Sequence, residues 1–305
     1  MSTNAAPGIP ESVAKSADIL AADTAMGAVT LRVGNLDAMT AYYRDVIGLD
    51  QLDATGSRVT LGRPGRPAMI LEHTPELAHA GPRDAGLFHT AILFDSKEAL
   101  AAAVYAVARS GAGRFSGSSD HLVSNAFYFD DPEGNGVELY WDRERTDWSW
   151  AHGQIEMHTL FLDPNRFLAE NLSERGEAGA GFGDARVGHV HLSVGDIPRA
   201  REFYITQLGF EQTIEIAGQA LFVSAGGYHH HMAMNTWNAR GAGRRQQTLG
   251  LGRVDIIVPG ADDLGALTER MQHAGIQPRN DGRSLAFDDP WDNLVTVTPA
   301  DTVPA

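Results

Sequence analysis

Histidine is the residue type through which this chain could do chemistry, and it is clustered. Tyr228-His229-His230-His231 runs directly into the apolar segment Met232–Met234, and His189 and His191 alternate within a second apolar run. Imidazole changes charge near neutral pH, so such groups suit proton transfer to a bound substrate, and a neutral ring can also ligate a metal. Strand alternation puts His229 and His231 on one face and His230 on the other. The plain alternative is a hydrogen-bonded histidine cluster with no chemistry. His191 should share the face of His189, as a hydrogen-bond donor behind it, a substrate contact or ordinary packing. The chain has 12 histidines and no cysteine, so thiolate ligands, disulfides and a cysteine nucleophile are excluded.

The elements that must position these residues repeat. Val29-Thr30-Leu31-Arg32-Val33-Gly34-Asn35-Leu36 corresponds to Val190-His191-Leu192-Ser193-Val194-Gly195-Asp196-Ile197, and the same offset of 161 relates Tyr43 to Tyr204 and Gly48 to Gly209. Each run starts as a half-buried strand and continues as a helix, with Ile197, Ala200, Tyr204 and Leu208 on one face and the glycine closing the C-terminus. A second kind of unit follows each first one. It reads as a strand at Phe88–Phe94, an Ala-rich helix at Lys97–Arg109 and a hairpin at Ala126–Tyr140, matched by Arg253–Val258, Ala261–His273 and Leu285–Val297. Both hairpins carry an Asp-Pro turn, Asp130-Asp131-Pro132-Glu133-Gly134-Asn135 and Asp288-Asp289-Pro290-Trp291-Asp292-Asn293. The fold class expected is α+β, with four strand–helix–strand–strand–strand units, 1a, 1b, 2a and 2b. The expected divisions are an N-terminal arm (1–25), a first domain (26–145), a connection (146–185) and a second domain (186–300).

Five phrases carry a family resemblance: GLFHTAIL (86–93), SDHLVS (119–124), DPEGNGVELYWDR (131–143), GHVHLSVGDI (188–197) and SAGGYHHHMAMNTWNARGA (224–242). The chain resembles the vicinal oxygen chelate superfamily, in its two-domain branch similar to catechol-2,3-dioxygenases. The resemblance implies βαβββ units paired into two cupped mixed sheets around a metal. It also implies ligands on the first and last strands of paired units, the first-strand ligand lying seven residues before the Asp that opens the helix. In 2a that position is His189; in 1a it is Ala28, which cannot bind. Unit 1b offers His89 and Glu138 where 2b has Arg253 and Thr296.

On this reading the metal ligands are His89, Glu138 and His189, converging if unit 1b pairs with unit 2a. Pairing within each half, with a substitute ligand such as Glu72, and pairing between subunits remain open alternatives. A buried glutamate is costly unless paired or coordinated, which favours an ion over isolated core residues. Two imidazoles and one carboxylate leave one face of an octahedral ion free, which suits Fe(2+), with Mn(2+) or Zn(2+) as alternatives. The resemblance implies extradiol cleavage of a catechol-like aromatic with O2. A glyoxalase-type isomerase or transferase and a non-catalytic resistance-type binder are the other classes. The catalytic candidates beyond the ligands are His231, His229, His121, His191 and Tyr140. His121 and Ser124 precede a cup-lining strand, where His121 serves as acid–base group or merely caps a turn. Tyr140, two after Glu138, lines the pocket or joins the core. Trp141, Trp148 and Trp150 read as packing or interface residues. His73, His79, His152, His158 and His273 read as structural or solvated. Asn125 stands where the branch is expected to carry Glu. Family likeness further implies a homo-oligomer.

A net charge of −15 argues against nucleic acid and anionic membrane as partners. No apolar run approaches the roughly 20 residues that span a bilayer, and residues 1–25 lack the apolar core of a secretory signal. The expected location is cytoplasmic.

Overall fold

The computed structural model describes residues 19–151 and 154–302. Most of the N-terminal arm expected at 1–25, and His152, lie outside them. Unit 1a comprises β1 (Ala25–Val33), α1 (Leu36–Ala41, continuing as a π turn through Tyr42–Val46), β2 (Asp50–Thr55), β3 (Arg58–Arg63) and β4 (Arg66–His73). Unit 1b comprises β5 (Gly86–Phe94), α2 (Lys97–Ser110), β6 (Arg114–Asp120), β7 (Ser124–Asp130) and β8 (Gly136–Asp142). The connection carries the two-residue strands β9 (Trp150–Ala151), β10 (Gln154–Ile155) and β11 (Leu160–Phe161), then α3 (Pro164–Asn171) and α4 (Glu174–Glu177). Unit 2a is β12 (Ala185–Ser193), α5 (Ile197–Arg201, with a π turn at Glu202–Gln207), β13 (Glu211–Ile216), β14 (Ala220–Ser224) and β15 (Met232–Asn235). Unit 2b is β16 (Gly250–Val258), α6 (Ala261–His273), β17 (Arg279–Asn280), β18 (Leu285–Asp288) and β19 (Leu294–Pro299). Among the described residues, no helix is long and apolar enough to cross a membrane.

The units pair across the two halves of the chain. One sheet has the order β17-β18-β19-β16-β1-β4-β3-β2, joining 2b to 1a; the other has β11-β6-β7-β8-β5-β12-β15-β14-β13, joining 1b to 2a. The expected α+β architecture of four units in two mixed sheets is therefore present. The seams are antiparallel, β1 on β16 and β5 on β12, while first and last strands within a unit run parallel. Parallel neighbours need a crossover, and here the helix and two outer strands of each unit supply it.

Sequence accounts for the local pieces. Asn35, Ser96 and Asp196 cap α1, α2 and α5 by accepting the backbone N–H three residues on. Gly48 and Gly209 end the two π turns at φ of +83° and +93°, where a Cβ is disfavoured. In each Asp-Pro turn the first-turn carboxylate after the strand gathers donors: Asp131 accepts from Glu133 N, Asn135 N, Asn135 Nδ2 and Tyr43 Oη, and Asp289 from Trp291 N, Asn293 N, Asn293 Nδ2 and Tyr204 Oη. These bonds tie the tyrosine of an a unit to the turn of a b unit. Ile197, Ala200, Tyr204 and Leu208 are all buried, as their helical spacing requires.

Candidate metal centre

Strand register brings the site together. In the 1b–2a sheet Tyr128 faces Glu138 across β7 and β8, Glu138 pairs with Ala91 of the parallel β5, and Ala91 pairs with His189 of β12. One row across four strands thus reads Tyr128, Glu138, Ala91, His189. His89 lies two residues from Ala91 on the same face, opposite His191. The single methyl of Ala91 leaves space over the middle of the row, into which the side chains of His89, Glu138 and His189 lean. Glu138 Oε2 is 3.0 Å from His89 Nε2 and 3.1 Å from His189 Nε2. One ligand atom from each of the three lies within 4.8 Å of the others.

All three residues are buried, and the cluster fits a metal. His89 Nε2, although beside the carboxylate, forms no well-directed hydrogen bond and is enclosed. Cis donors on an octahedral ion with bonds of about 2.1 Å stand about 3.0 Å apart, the spacing between Glu138 Oε2 and each of the two imidazoles. Burial pushes the His189 imidazole down to about 4, so it is neutral at pH 7. Burial opposes ionisation of Glu138, but the two imidazoles outweigh it and hold the carboxyl well below its usual range. A neutral His189 ring and an ionised Glu138 carboxylate are the protonation states a metal demands of these two groups.

The cluster forms one wall of a cavity of about 540 Å³. His121, His191 and His230 also line it. His191 Nε2 accepts from Asn235 Nδ2 at 3.0 Å, and burial lowers its pKa well below the usual histidine range. His121 sits in the three-residue loop between β6 and β7, beside Leu122 at φ +68°, a left-handed conformation costing roughly 1–3 kcal/mol. Its Nδ1 donates to His158 O at 2.9 Å, which leaves Nε2 to accept from Tyr128 Oη at 2.8 Å.

The strand alternation expected for 229–231 does not occur. These residues form a bend before β15 begins at Met232, and the bend turns His230, not His229 or His231, to the cavity. The His230 ring centroid lies 4.0 Å from that of His189. His229 stands behind it, with Nδ1 2.8 Å from His230 Nδ1 and Nε2 2.9 Å from Asp142 Oδ1. His231 points away, its Nδ1 accepting from Ala225 N at 3.2 Å and its ring against Tyr228 and Phe210. Tyr140 belongs to the core. It is fully buried, its ring is 4.9 Å from that of His189, and its hydroxyl is 2.8 Å from Tyr228 Oη, which donates to Asp142 Oδ2 at 2.7 Å.

Four further residues belong to the lining that no sequence signal singled out. Tyr128 projects from β7 on the face of Glu138, a position strand alternation from Ser124 and Ala126 could have flagged. Trp237 follows β15, edge-on to Phe88 and His191. Met157 and His158 come from the connection, which also roofs the cavity. Asn125 is buried and is not part of the cavity lining, whereas Ser124 is. Trp148 is buried and Trp150 half exposed. Glu72, the substitute ligand, lies in the other sheet, near Asp255. There the equivalents of the three ligands are Arg253, Thr296 and Ala28, and Arg253 Nε pairs with Asp255 Oδ1 at 2.6 Å in the middle of the row.

Paired βαβββ units cupping a buried two-histidine, one-carboxylate cluster define a protein of the vicinal oxygen chelate class. The chain belongs to the Glyoxalase/Bleomycin resistance protein/Dioxygenase superfamily, whose model matches residues 25–139 and 186–297. It is 35% identical over 273 residues to a catechol-2,3-dioxygenase of Bacillus subtilis (strain 168), covering 88% of this chain and 94% of that protein. In fold it is similar to the E144Q mutant of glyoxalase I from Zea mays, with a TM-score of 0.57, 15% identity and coverage of 91% and 94%. The cppA protein of Streptococcus pneumoniae TIGR4 gives a TM-score of 0.54 at 11% identity, covering 90% and 98%.

Proposed function

We propose that the chain is an extradiol ring-cleaving dioxygenase, opening a catechol-like aromatic beside its hydroxyl pair with O2 and a divalent metal held by His89, Glu138 and His189. The observation that carries this is the placement of that cluster in the wall of a largely apolar cavity, with unused histidine and tyrosine groups on both sides of it. The 35% identity to a protein named as a catechol-2,3-dioxygenase supports the same reaction.

A redox-capable ion such as Fe(2+), or Mn(2+), would lower the barrier between singlet diol and triplet dioxygen and acidify a diol hydroxyl. The chain's residues do the rest. His229 Nε2–H donates to Asp142, so His229 Nδ1 accepts from His230 Nδ1–H, and His230 keeps Nε2 as its unprotonated nitrogen. That nitrogen takes a proton from the diol and returns it to the opened product. On the other side Tyr128 Oη, its proton held by His121 Nε2, presents its oxygen as an acceptor toward a hydroxyl of the bound diol. His191 and Phe88 wall off the site between them. His231 and Tyr140 act only through packing and hydrogen bonding.

A glyoxalase-type reaction on a polyanionic thiol adduct would need cations in the lining, and among the described residues no lysine or arginine lines the cavity. A simple binder would have no use for a buried carboxylate between two imidazoles. The test is aerobic incubation of Fe(2+)-loaded protein with catechol, which is expected to give a yellow ring-opened product. Absence of product across several catechols, with turnover of a hemithioacetal, would replace this reading by an isomerase. Purified protein with no stoichiometric metal uptake would leave the binder.

A further inference from the structure

The two sides of the cavity differ in polarity, and the difference follows strand order. From Glu138 on β8 outward, β7 and β6 contribute Tyr128, Ser124, Ser119 and Ser116, together with Asp130 and a single apolar side chain, Phe129. From His189 on β12 in the other direction, β14 contributes Phe222 and the edge strand β13 contributes Ile214 and Ile216. Phe222, Ile214 and Met157 pack together in one apolar cluster. The period of two along β13 sends Ile214 and Ile216 to the same face, while Glu215 between them points away to pair with Arg201. An apolar track therefore leads from the cluster to the sheet edge, and a hydroxyl-lined track leads the opposite way.

Charge sharpens the contrast. Among the described residues the only carboxylates in the lining are Glu138 and Asp130, and Asp130 is paired with the exposed Arg114. A carboxylate carried into the cavity would meet no lysine or arginine among the described residues and would lose its hydration without compensation. An alkyl or aryl group over Phe222 and Ile214 would instead bury apolar surface. The cavity, at about 540 Å³, is in the range that encloses more than a bare single ring.

Resting on the proposed reaction, we infer that the substrate is a catechol bearing an uncharged, apolar substituent, seated over Phe222, Ile214 and Ile216, with its hydroxyls toward Glu138 and Tyr128. These three residues set specificity against carboxylated catechols.

The test compares catechol, 4-phenylcatechol and 3,4-dihydroxybenzoate on the Fe(2+)-loaded full chain. The expected kcat/KM for 4-phenylcatechol exceeds that for 3,4-dihydroxybenzoate by about tenfold or more, through KM. Ile214→Arg, or Ile216→Arg at the exposed edge where folding is not at stake, should narrow that ratio by about tenfold. Calorimetric binding of the same compounds under nitrogen separates this inference from the reaction itself. Should no catechol be opened, preferential binding of 4-phenylcatechol would still sustain the apolar track while the reaction falls. Equal or tighter binding of 3,4-dihydroxybenzoate by the unmodified chain, or an unchanged ratio in both arginine variants, would overturn it.

Discussion

His229 and His230 meet through their Nδ1 atoms at 2.8 Å, and only one of the two nitrogens can carry the proton. Asp142 decides which. Its Oδ1 holds His229 Nε2–H and its Oδ2 holds the Tyr228 hydroxyl, so the bond order runs carboxylate, His229, His230, and leaves Nε2 of His230, a residue of the cavity lining, without a proton. An amide at 142 presents N–H as readily as C=O and releases this constraint. Asp142→Asn is expected to lower kcat by about 10²–10⁴-fold with KM and bound metal little changed. Steady-state kinetics with metal analysis measures both, and an unaffected kcat would remove the chain of hydrogen bonds from the mechanism.

The three donors should act as a unit. Loss of an outer hydrogen-bond partner typically weakens metal affinity by about 10–100-fold, and loss of a ligand costs more. Glu138→Gln and His189→Ala are each expected to purify with far less metal than the unaltered chain, with the far-ultraviolet circular dichroism of the parent. Elemental analysis checks this. Chelator treatment of the unaltered chain should abolish activity, and added Fe(2+) should restore it.

His231 makes a prediction about acid stability that does not involve the metal. Burial, with His229 and Arg145 nearby, holds its pKa at about 3, whereas an unfolded histidine titrates near 6.5. Between those values the unfolded chain binds the extra proton, so stability is present above pH 6.5 and is lost as pH falls toward 3. From pH 7 to pH 5 the loss from this one residue is on the order of 2 kcal/mol. His231→Asn keeps an acceptor for Ala225 N–H and cannot charge. Denaturant titrations of metal-free protein at the two pH values should show a shallower loss in the variant, and parallel curves would refute this assignment.

Gly188 faces the Tyr140 hydroxyl so closely that a Cβ at 188 would stand 1.7 Å from Tyr140 Oη. Gly188→Ala must push the ring aside and break its bond to Tyr228, at an overpacking cost of about 1–3 kcal/mol. Gly188→Ala combined with Tyr140→Phe should recover part of the loss in midpoint temperature. Additive losses would mean that the strain is relieved elsewhere.

Much of this was legible along the chain because it is local. The offset between repeats, the Asp-Pro turns, the caps and the closing glycines are each written within a few residues. The residues His89, Glu138 and His189 were named from the repeat and its family likeness, and the structure brings those three together. Other features were legible only in part. His121 could be placed before its strand, but not its bond to Tyr128, and the connection gave no sign that Met157 and His158 roof the cavity.

By itself the sequence determined which side chains exist to do chemistry and which face of each strand they occupy, since the period of two is a property of the backbone. Only the tertiary structure decided that unit 1b lies against 2a, that Ala91 falls between Glu138 and His189, and that a bend turns His230 rather than His231 inward. Those outcomes depend on pairing register and on breaks in regular structure, which are settled by burial and backbone hydrogen bonding between distant segments and leave no periodic trace in the residues concerned.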